Sequence, residues 1–444
     1  MFDLIAAGGV LALLGIVMLL ARVFRARLTS EGSRKIIHIT MGCAALSFPF
    51  IFTYRQSVVY LGVAALAMLL FLRLHKGMRE GLGTALLGIS RKSFGEIYFV
   101  ISIVIVFVLH KSAFEYIIPI AVLTFADSVA ALIGISYGRY NLADKNEDAK
   151  SREGSVMFFI VAFICALTPL QLMTEIGRAE VLVISFLIGL LAAMVETVSA
   201  NGNDNLLLPL LTYSFIRYNS ELPLETLFVN FGVMVVFLAL IFFVYKLTNF
   251  TRLSIAYSLL VGYIVMILGG VSWVLPPLAL LLTFGIFPMM KREERQKIQN
   301  YKAIECTTII GVICLYISVF YPMSRDILYI AFSFSFACHL CINTYCRFKN
   351  FVNTSKAVSI ICGLGKAFLF IALPALFIAR MNWMVFVLYL ALLAASMPSA
   401  ISLDVKFDYK NVRDVPFRAS KILIVGTLTS VFVAALTIME VAWI

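Results

Sequence analysis

The stretch IIPIAVLTFADSVAALIGISYG, Ile117 to Gly138, decides the fold class of this chain. It is long and apolar enough to cross a bilayer as one helix. It nevertheless carries a carboxylate, Asp127, close to its middle. A charge inside a membrane-spanning segment is costly, so such a residue is usually paired with another group or functional.

Similar apolar runs recur from end to end of the 444-residue chain, which is 62% hydrophobic and only 14% charged. The mean hydropathy is +0.98, whereas soluble domains average about 45–50% apolar and about 25% charged residues. We therefore predict an all-α, polytopic integral membrane protein with about 14–16 transmembrane helices. The first run is too long for a signal-peptide core and is predicted to be a retained span.

Hydropathy places candidate spans along the whole sequence. The short segment near Pro209 is a half-helix, a re-entrant piece or a true crossing. The predicted spans are 3–21, 36–53, 57–72, 94–110, 113–137, 154–173, 180–198, 206–217, 225–245, 254–270, 271–290, 304–321, 327–345, 357–379, 383–402 and 421–442.

Lys and Arg are concentrated in every other loop, and the loops between are short and poor in these residues. The positive-inside rule then places the basic loops in the cytoplasm and the N-terminus outside. The net charge of +12 is explained by these loops and by anionic lipid headgroups, so nucleic acid is discounted as a partner. Unusual polar residues lie almost entirely in the first half. We therefore predict a site-bearing module over 1–222 and an accessory multi-span module over 223–444.

The first of four polar clusters surrounds Asp127. On a helix, Asp127 shares one face with Ala130, Ala131, Gly134 and Gly138. A stripe of small residues is typical of helix–helix packing. A carboxylate at its head instead favours a groove for a divalent ion whose other ligands are phosphate oxygens.

The second cluster is KSREGS, Lys150 to Ser155, where the next span begins. Lys150, Ser151 and the amides around Gly154 would form a positive helix start that can hold a phosphate. No Walker-type glycine loop occurs here, which excludes a P-loop mechanism.

The third cluster is SRKIIH, in which Arg34 and His38 lie one helical turn apart with Lys35 adjacent. Arg34 and Lys35 suit an ordinary basic cap at a membrane boundary, and His38 suits a general base or a hydrogen-bonded core residue about equally.

The fourth cluster is ETVSANGNDN, in which Glu196 ends one span and Asp204 with Asn205 opens the next segment. An acid at the end of a span often only marks the membrane interface. The second acid–amide pair makes a role in binding a metal or a nucleotide an equally good interpretation. Glu96, at another span start, is a weaker candidate and suits a helix cap.

Together, RKIIH, DSVAALIGISYG, KSREGS and ETVSANGNDNLLLP resemble the membrane-bound CTP-dependent lipid kinases. This group contains dolichol kinase, phytol kinase and CTP-type diacylglycerol kinase, and is related to phosphatidate cytidylyltransferases. The resemblance covers about residues 25–215. The link between Gly138 and Lys150 is longer and more acidic than the family's usual one, which leaves Lys145 without an assigned role.

The resemblance implies a CTP site built from six residues, with Arg34 and Lys35 near the phosphates. The implied site residues are Asp127, Gly134, Gly138, Lys150, Glu153 and Gly154. Ser151, Asp204 and Asn205 are further candidates for nucleotide contact.

The leading hypothesis is phosphoryl transfer from CTP to the hydroxyl of a membrane lipid alcohol: phytol, a polyprenol or dolichol, or diacylglycerol. Asp127, with Glu196 or Asp204, would hold Mg²⁺, and His38 or an acid would be the base. A cytidylyltransferase that makes a CDP-lipid is the enzymatic alternative. A transporter is the alternative from another class, although its polar residues would be expected in two matching halves.

Overall fold

The computed structural model of the protein describes residues 2–23, 30–75, 94–139, 150–199, 202–247, 252–283, 301–321, 324–350, 354–404 and 415–441. The described part of the chain is helical and contains no strand. Eight of its helices are long and apolar enough to cross a membrane, and six shorter helices are also apolar. The predicted all-α, polytopic membrane fold is therefore confirmed.

The chain divides into two compact units, Met1–Gly232 and Val233–Ile444. The sequence-based boundary at 222/223 falls in the short link before a helix, whereas the division by contacts falls inside that helix, Leu224–Leu247.

The described part of the first unit contains nine helices before the one that crosses the boundary. They are α1 (Phe2–Val23), α2 (Ser30–Leu46), α3 (Phe48–Ile51), α4 (Arg55–Leu74), α5 (Gly95–Leu109), α6 (Ala113–Tyr137), α7 (Arg152–Met173), α8 (Arg178–Val198) and α9 (Asp204–Asn219). The boundary helix Leu224–Leu247 is α10.

The described part of the second unit continues with seven more helices. They are α11 (Arg252–Gly269), α12 (Val271–Leu281), α13 (Tyr301–Phe320), α14 (Arg325–Asn350), α15 (Lys356–Ile378), α16 (Trp383–Asp404) and α17 (Val415–Val441).

One predicted span, 36–53, is broken in two. α2 ends at Leu46, and the short α3 begins after Ser47, with a proline in its first turn. Proline suits a helix start because its missing N–H would have no helical partner there, whereas inside a helix it removes a hydrogen bond. α2 also begins at Ser30, so SRKIIH lies on its first turns.

α6 carries a widened π-turn, Val122–Ala126, immediately before Asp127. A π-turn inserts one extra residue into the helical repeat and is often found at functional sites. Three residues earlier, Pro119 lies inside the same helix, where it cannot donate a backbone hydrogen bond. The segment that holds Asp127 is therefore an irregular helix within a buried bundle.

Candidate functional site

The intramembrane acid is ion-paired. Lys35 on α2 donates to Asp127 Oδ2 on α6 over 2.5 Å, and its Nζ lies 3.3 Å from the Asp127 carbonyl oxygen. The lysine side chain is 8% exposed and the aspartate side chain 21% exposed. Pairing with a cation lowers the cost of keeping a carboxylate at membrane depth. Lys35, predicted to lie near phosphates, thus has Asp127 as its partner in this structure.

His38, one turn further along α2, approaches the same acid. Its Nε2 lies 3.0 Å from the carbonyl oxygen of Leu123 and 3.7 Å from Asp127 Oδ2. Because a carbonyl oxygen only accepts, His38 donates from Nε2, and in the neutral ring Nδ1 is then the acceptor. Leu123 belongs to the π-turn, so the irregular backbone of α6 supplies the group that orients the imidazole.

A second ion-paired cluster centres on Lys150. Its Nζ lies 2.7 Å from Glu196 Oε1 at the end of α8 and 3.7 Å from Asp204 Oδ2 at the start of α9. Lys150 also donates to the backbone carbonyl of Glu196. The second carboxylate oxygen of Glu196 is buried and has no hydrogen-bond partner among the described residues.

The two clusters interact electrostatically. Burial alone would lower the pKa of Lys150, but the carboxylates of Glu196 and Asp204, and more weakly Asp127, raise it above its usual value. A lysine held charged by three acids neutralises part of their mutual repulsion. Residues predicted from four separate segments thus meet in one region of the first unit.

The glycine stripe packs against protein. A Cβ placed on Gly134 would lie 3.1 Å from Ser151 Oγ, and one on Gly138 would lie 2.8 Å from Ser151 Cβ. A Cβ on Gly154 would lie 3.1 Å from the carbonyl oxygen of Ala130. The small residues therefore allow α6 and the start of α7 to approach closely. Their role as nucleotide contacts stays a prediction.

Other predicted site residues have structural partners. Ser151 is the N-cap of α7, and its Oγ accepts from the Gly154 amide over 3.1 Å. Glu153 lies in the first turn of α7, where a negative charge is favourable. Asn205 is buried and donates from Nδ2 to the carbonyl oxygen of Gly95 over 2.8 Å, which joins α9 to the start of α5.

Glu96 is closer to the site than its sequence signal indicated. Its Oε1 lies 3.2 Å from Arg73 Nη1, and Arg73 also stacks over the Phe94 ring. Glu96 lines a cavity together with Arg34, His38 and Asn205. Only its position at a helix start distinguished it in the sequence. Lys145 lies outside the described residues.

The acids offer a partial ligand set for Mg²⁺. Among the described residues, no three His, Cys, Asp or Glu side chains are close enough together to form a complete metal site. However, Glu196 and Asp204 converge on one lysine nitrogen, and Glu196 retains an unpartnered buried oxygen. Mg²⁺ is commonly held by one or two carboxylates plus substrate phosphates, so this donor set fits the ion.

The second unit has a polar interior of its own. His339 is fully buried on α14, and Lys421 on α17, also buried, donates to Asn343 Oδ1 over 2.5 Å. Cys338 and Cys341, which are close to His339 in the sequence, are also buried. Lys421 had no signal of its own in the sequence, because it follows a loop rich in charge.

The fold and the site define a multi-pass α-helical membrane protein with a partly buried centre of paired acids and bases in its first unit. No family model, curated protein or solved structure matches the chain, so these features alone define it.

Proposed function

We propose that the first unit is a CTP-dependent kinase that phosphorylates the hydroxyl of a membrane lipid alcohol. The observation that carries this proposal is the meeting of Lys35, Asp127, Lys150, Glu196 and Asp204, which come from segments far apart in the sequence. Phosphoryl transfer needs positioned cations and acids more than covalent chemistry, and this centre supplies both.

In this proposal Lys150, Lys35 and Arg34 bind the triphosphate. The N-terminal end of α7, capped by Ser151, and that of α9 add partial positive charge from their backbone dipoles. Glu196 and Asp204 would hold Mg²⁺, which when bound neutralises phosphate charge and orients the transferred group. Asp127 is instead engaged by Lys35 and His38.

The alcohol oxygen attacks the γ-phosphorus, and the bond from that phosphorus to the β–γ bridging oxygen breaks, so CDP leaves. The alcohol proton passes to a base. His38 fits this role through Nδ1, because its Nε2 hydrogen is directed to the Leu123 carbonyl. Asp127 would orient the ring and stabilise its protonated form.

The test uses purified full-length protein, mixed micelles with a panel of lipid alcohols, and CTP labelled either on the γ-phosphate or on cytidine. We expect γ-label in the lipid product and CDP in solution. Cytidine label in a lipid product made from a phosphatidic-acid-type substrate would instead support the cytidylyltransferase. ATP and UTP in parallel reactions measure donor preference.

Asp127→Asn is the decisive variant, with Asp326→Asn as its matched control. Asp326 is exposed and opens α14 in the second unit. We expect Asp127→Asn to lose about a hundredfold or more in rate, in the range for removing a preorganised charged group, and the control to match the wild type. Equal activity of the two variants would refute the assignment of the site.

A further inference from the structure

An apolar cavity of about 110 Å³ opens beside the candidate site, between α1, α2, α4 and α5. Its wall is almost entirely apolar, but one end is polar and contains Arg34, His38, Glu96 and Asn205. Arg34, His38 and Asn205 belong to the predicted site itself. The cavity therefore leads from the charged centre into the apolar interior of the first unit.

The cavity extends along the helices. On α4 its lining runs from Leu69, near the end that carries Arg73, to Val58. Eleven residues at 1.5 Å per residue correspond to about 16 Å. This is about half of the ~30 Å hydrocarbon thickness of a bilayer. An elongated apolar space of that depth matches a hydrocarbon chain within one leaflet.

The volume indicates one chain. A single water needs about 10–15 Å³ on the same measure, so the cavity accommodates about seven to eleven groups of that size. Methylene and methyl groups are of similar size, so one chain of moderate length fills it. Two acyl chains side by side would need about twice that space.

One small residue keeps the cavity open. Ala65 lines it on α4, between Leu69 near the polar end and Val58 at the deep end. A larger side chain at position 65 would fill space that a chain would otherwise occupy. Gly62 has a different role, because it faces Val104 so closely that a Cβ would overlap the valine side chain.

We propose that this cavity binds the single hydrocarbon chain of the alcohol substrate, with its hydroxyl at the polar end beside His38. This inference rests on the proposed kinase function and narrows it: the substrate is a single-chain alcohol of the prenol or fatty type, and diacylglycerol is excluded. The small side chain of Ala65 then leaves room for the chain to extend past this position toward Val58.

The test compares Ala65→Leu with Ala64→Leu, the same substitution one residue earlier. Ala64 is exposed on α4, so its larger side chain points away from the cavity. Two readouts are used. The first is CTP-dependent phosphorylation of hexanol, decanol, geraniol and dioleoylglycerol, and the second is photo-crosslinking by decanol with a terminal diazirine, which needs no catalysis.

We expect Ala65→Leu to raise KM for decanol about tenfold or more, because two or more methylene groups lose their burial. Hexanol, whose chain reaches only about as far as Ala65, should change less than threefold. Crosslinks should map to the deep end, near Val58 and Ala45, and should decrease in Ala65→Leu but not in Ala64→Leu. Dioleoylglycerol should remain unphosphorylated.

Failure of this inference differs from failure of the proposed function. If crosslinks map to the deep end and respond to Ala65→Leu but no alcohol accepts phosphate, the chain site stands and the kinase proposal falls. If alcohols are phosphorylated but both leucine variants match the wild type, or dioleoylglycerol is the better substrate, the chain site is overturned. Crosslinks that map elsewhere overturn it as well, whatever the activity.

Discussion

Replacing Lys150 with methionine removes the cation that two acids share. Methionine keeps much of the length and apolar stem of lysine but leaves Glu196 and Asp204 facing each other without compensation. We expect a large loss of stability of the first unit. The matched control is Lys111→Met, because Lys111 is exposed at the opposite end of the unit's helices.

The magnitude follows from the geometry. At 2.7 Å and an effective dielectric constant of about 20, the gross attraction between Lys150 and Glu196 is ~6 kcal/mol. Part of it is offset by desolvation, and removing one partner of a buried pair typically costs about 3–5 kcal/mol. The two side chains are 24% and 12% exposed, so we expect the lower end, ~3 kcal/mol. Lys111→Met should stay within about 0.5 kcal/mol of the wild type.

The assay is thermal unfolding in detergent, followed by loss of soluble monomer in size-exclusion chromatography. A domain of about 150–250 residues shifts by about 2–4 °C per kcal/mol. Lys150→Met should therefore lower Tm by roughly 6–12 °C. Adding Glu196→Gln removes one stranded charge, and the double variant should recover at least about 1 kcal/mol.

Either of two results would contradict a stabilising ion pair between Lys150 and its acids. If Lys150→Met unfolds at the same temperature as Lys111→Met, the shared ion pair contributes nothing to stability. If Glu196→Gln adds its own loss to that of Lys150→Met with no recovery, the two residues are not coupled.

Three further outcomes are expected. Ser151→Ala removes a hydrogen-bonded N-cap and should lower the free energy of unfolding by about 1 kcal/mol in the same assay. Ser112→Ala should cost less, because the Ser112 side chain makes no capping bond. Equal losses of stability in the two variants would contradict the role of Ser151 as a cap. Gly42→Ala would place a Cβ against the threonine of the π-turn and should cost about 1–3 kcal/mol. Gly8→Ala is the control, because open space surrounds Gly8, and it should be neutral or stabilising. An equal loss of stability in Gly42→Ala and Gly8→Ala would contradict the close packing of Gly42 against Thr124. The pKa of Lys150 is raised above 10.5, so its stabilisation is complete below that pH and is lost as pH rises through the higher folded value. The difference in Tm between the wild type and Lys150→Met should stay constant from neutral pH to about pH 10 and become smaller only above that pH. A difference that disappears below about pH 9 would contradict the raised pKa of Lys150.

Hydropathy predicted the fold class and most helix positions well, because the cost of exposing backbone in a bilayer makes long apolar runs helical. The predicted span 113–137 coincides with α6, and 180–198 differs from α8 only at its start. The break between α2 and α3 was missed, because both sides of it are apolar and only Pro49 marks it.

The sequence was enough to predict which residues belong to the candidate site, but not which of them form ion pairs with each other. An acid within an apolar run is recognisable because placing its charge in a membrane costs free energy, so Asp127 could be identified from a single sequence. Its partner Lys35 is 92 positions away, and no local pattern links the two. The π-turn was equally hidden, because the composition of Val122–Ala126 does not distinguish it from a regular helix.

The ion pairs described above set Lys35 and Lys150 against Asp127, Glu196 and Asp204, so both lysines are already engaged by the protein's own carboxylates. On the proposed function, a nucleotide does not enter a ready-made cationic pocket but must compete with the protein's own carboxylates for each lysine. Only a ligand with several negative charges can replace the carboxylates on both lysines at once. It must be accompanied by a divalent cation that binds the displaced acids. A product with one phosphate fewer competes less well, and closure of the internal pairs then favours its departure.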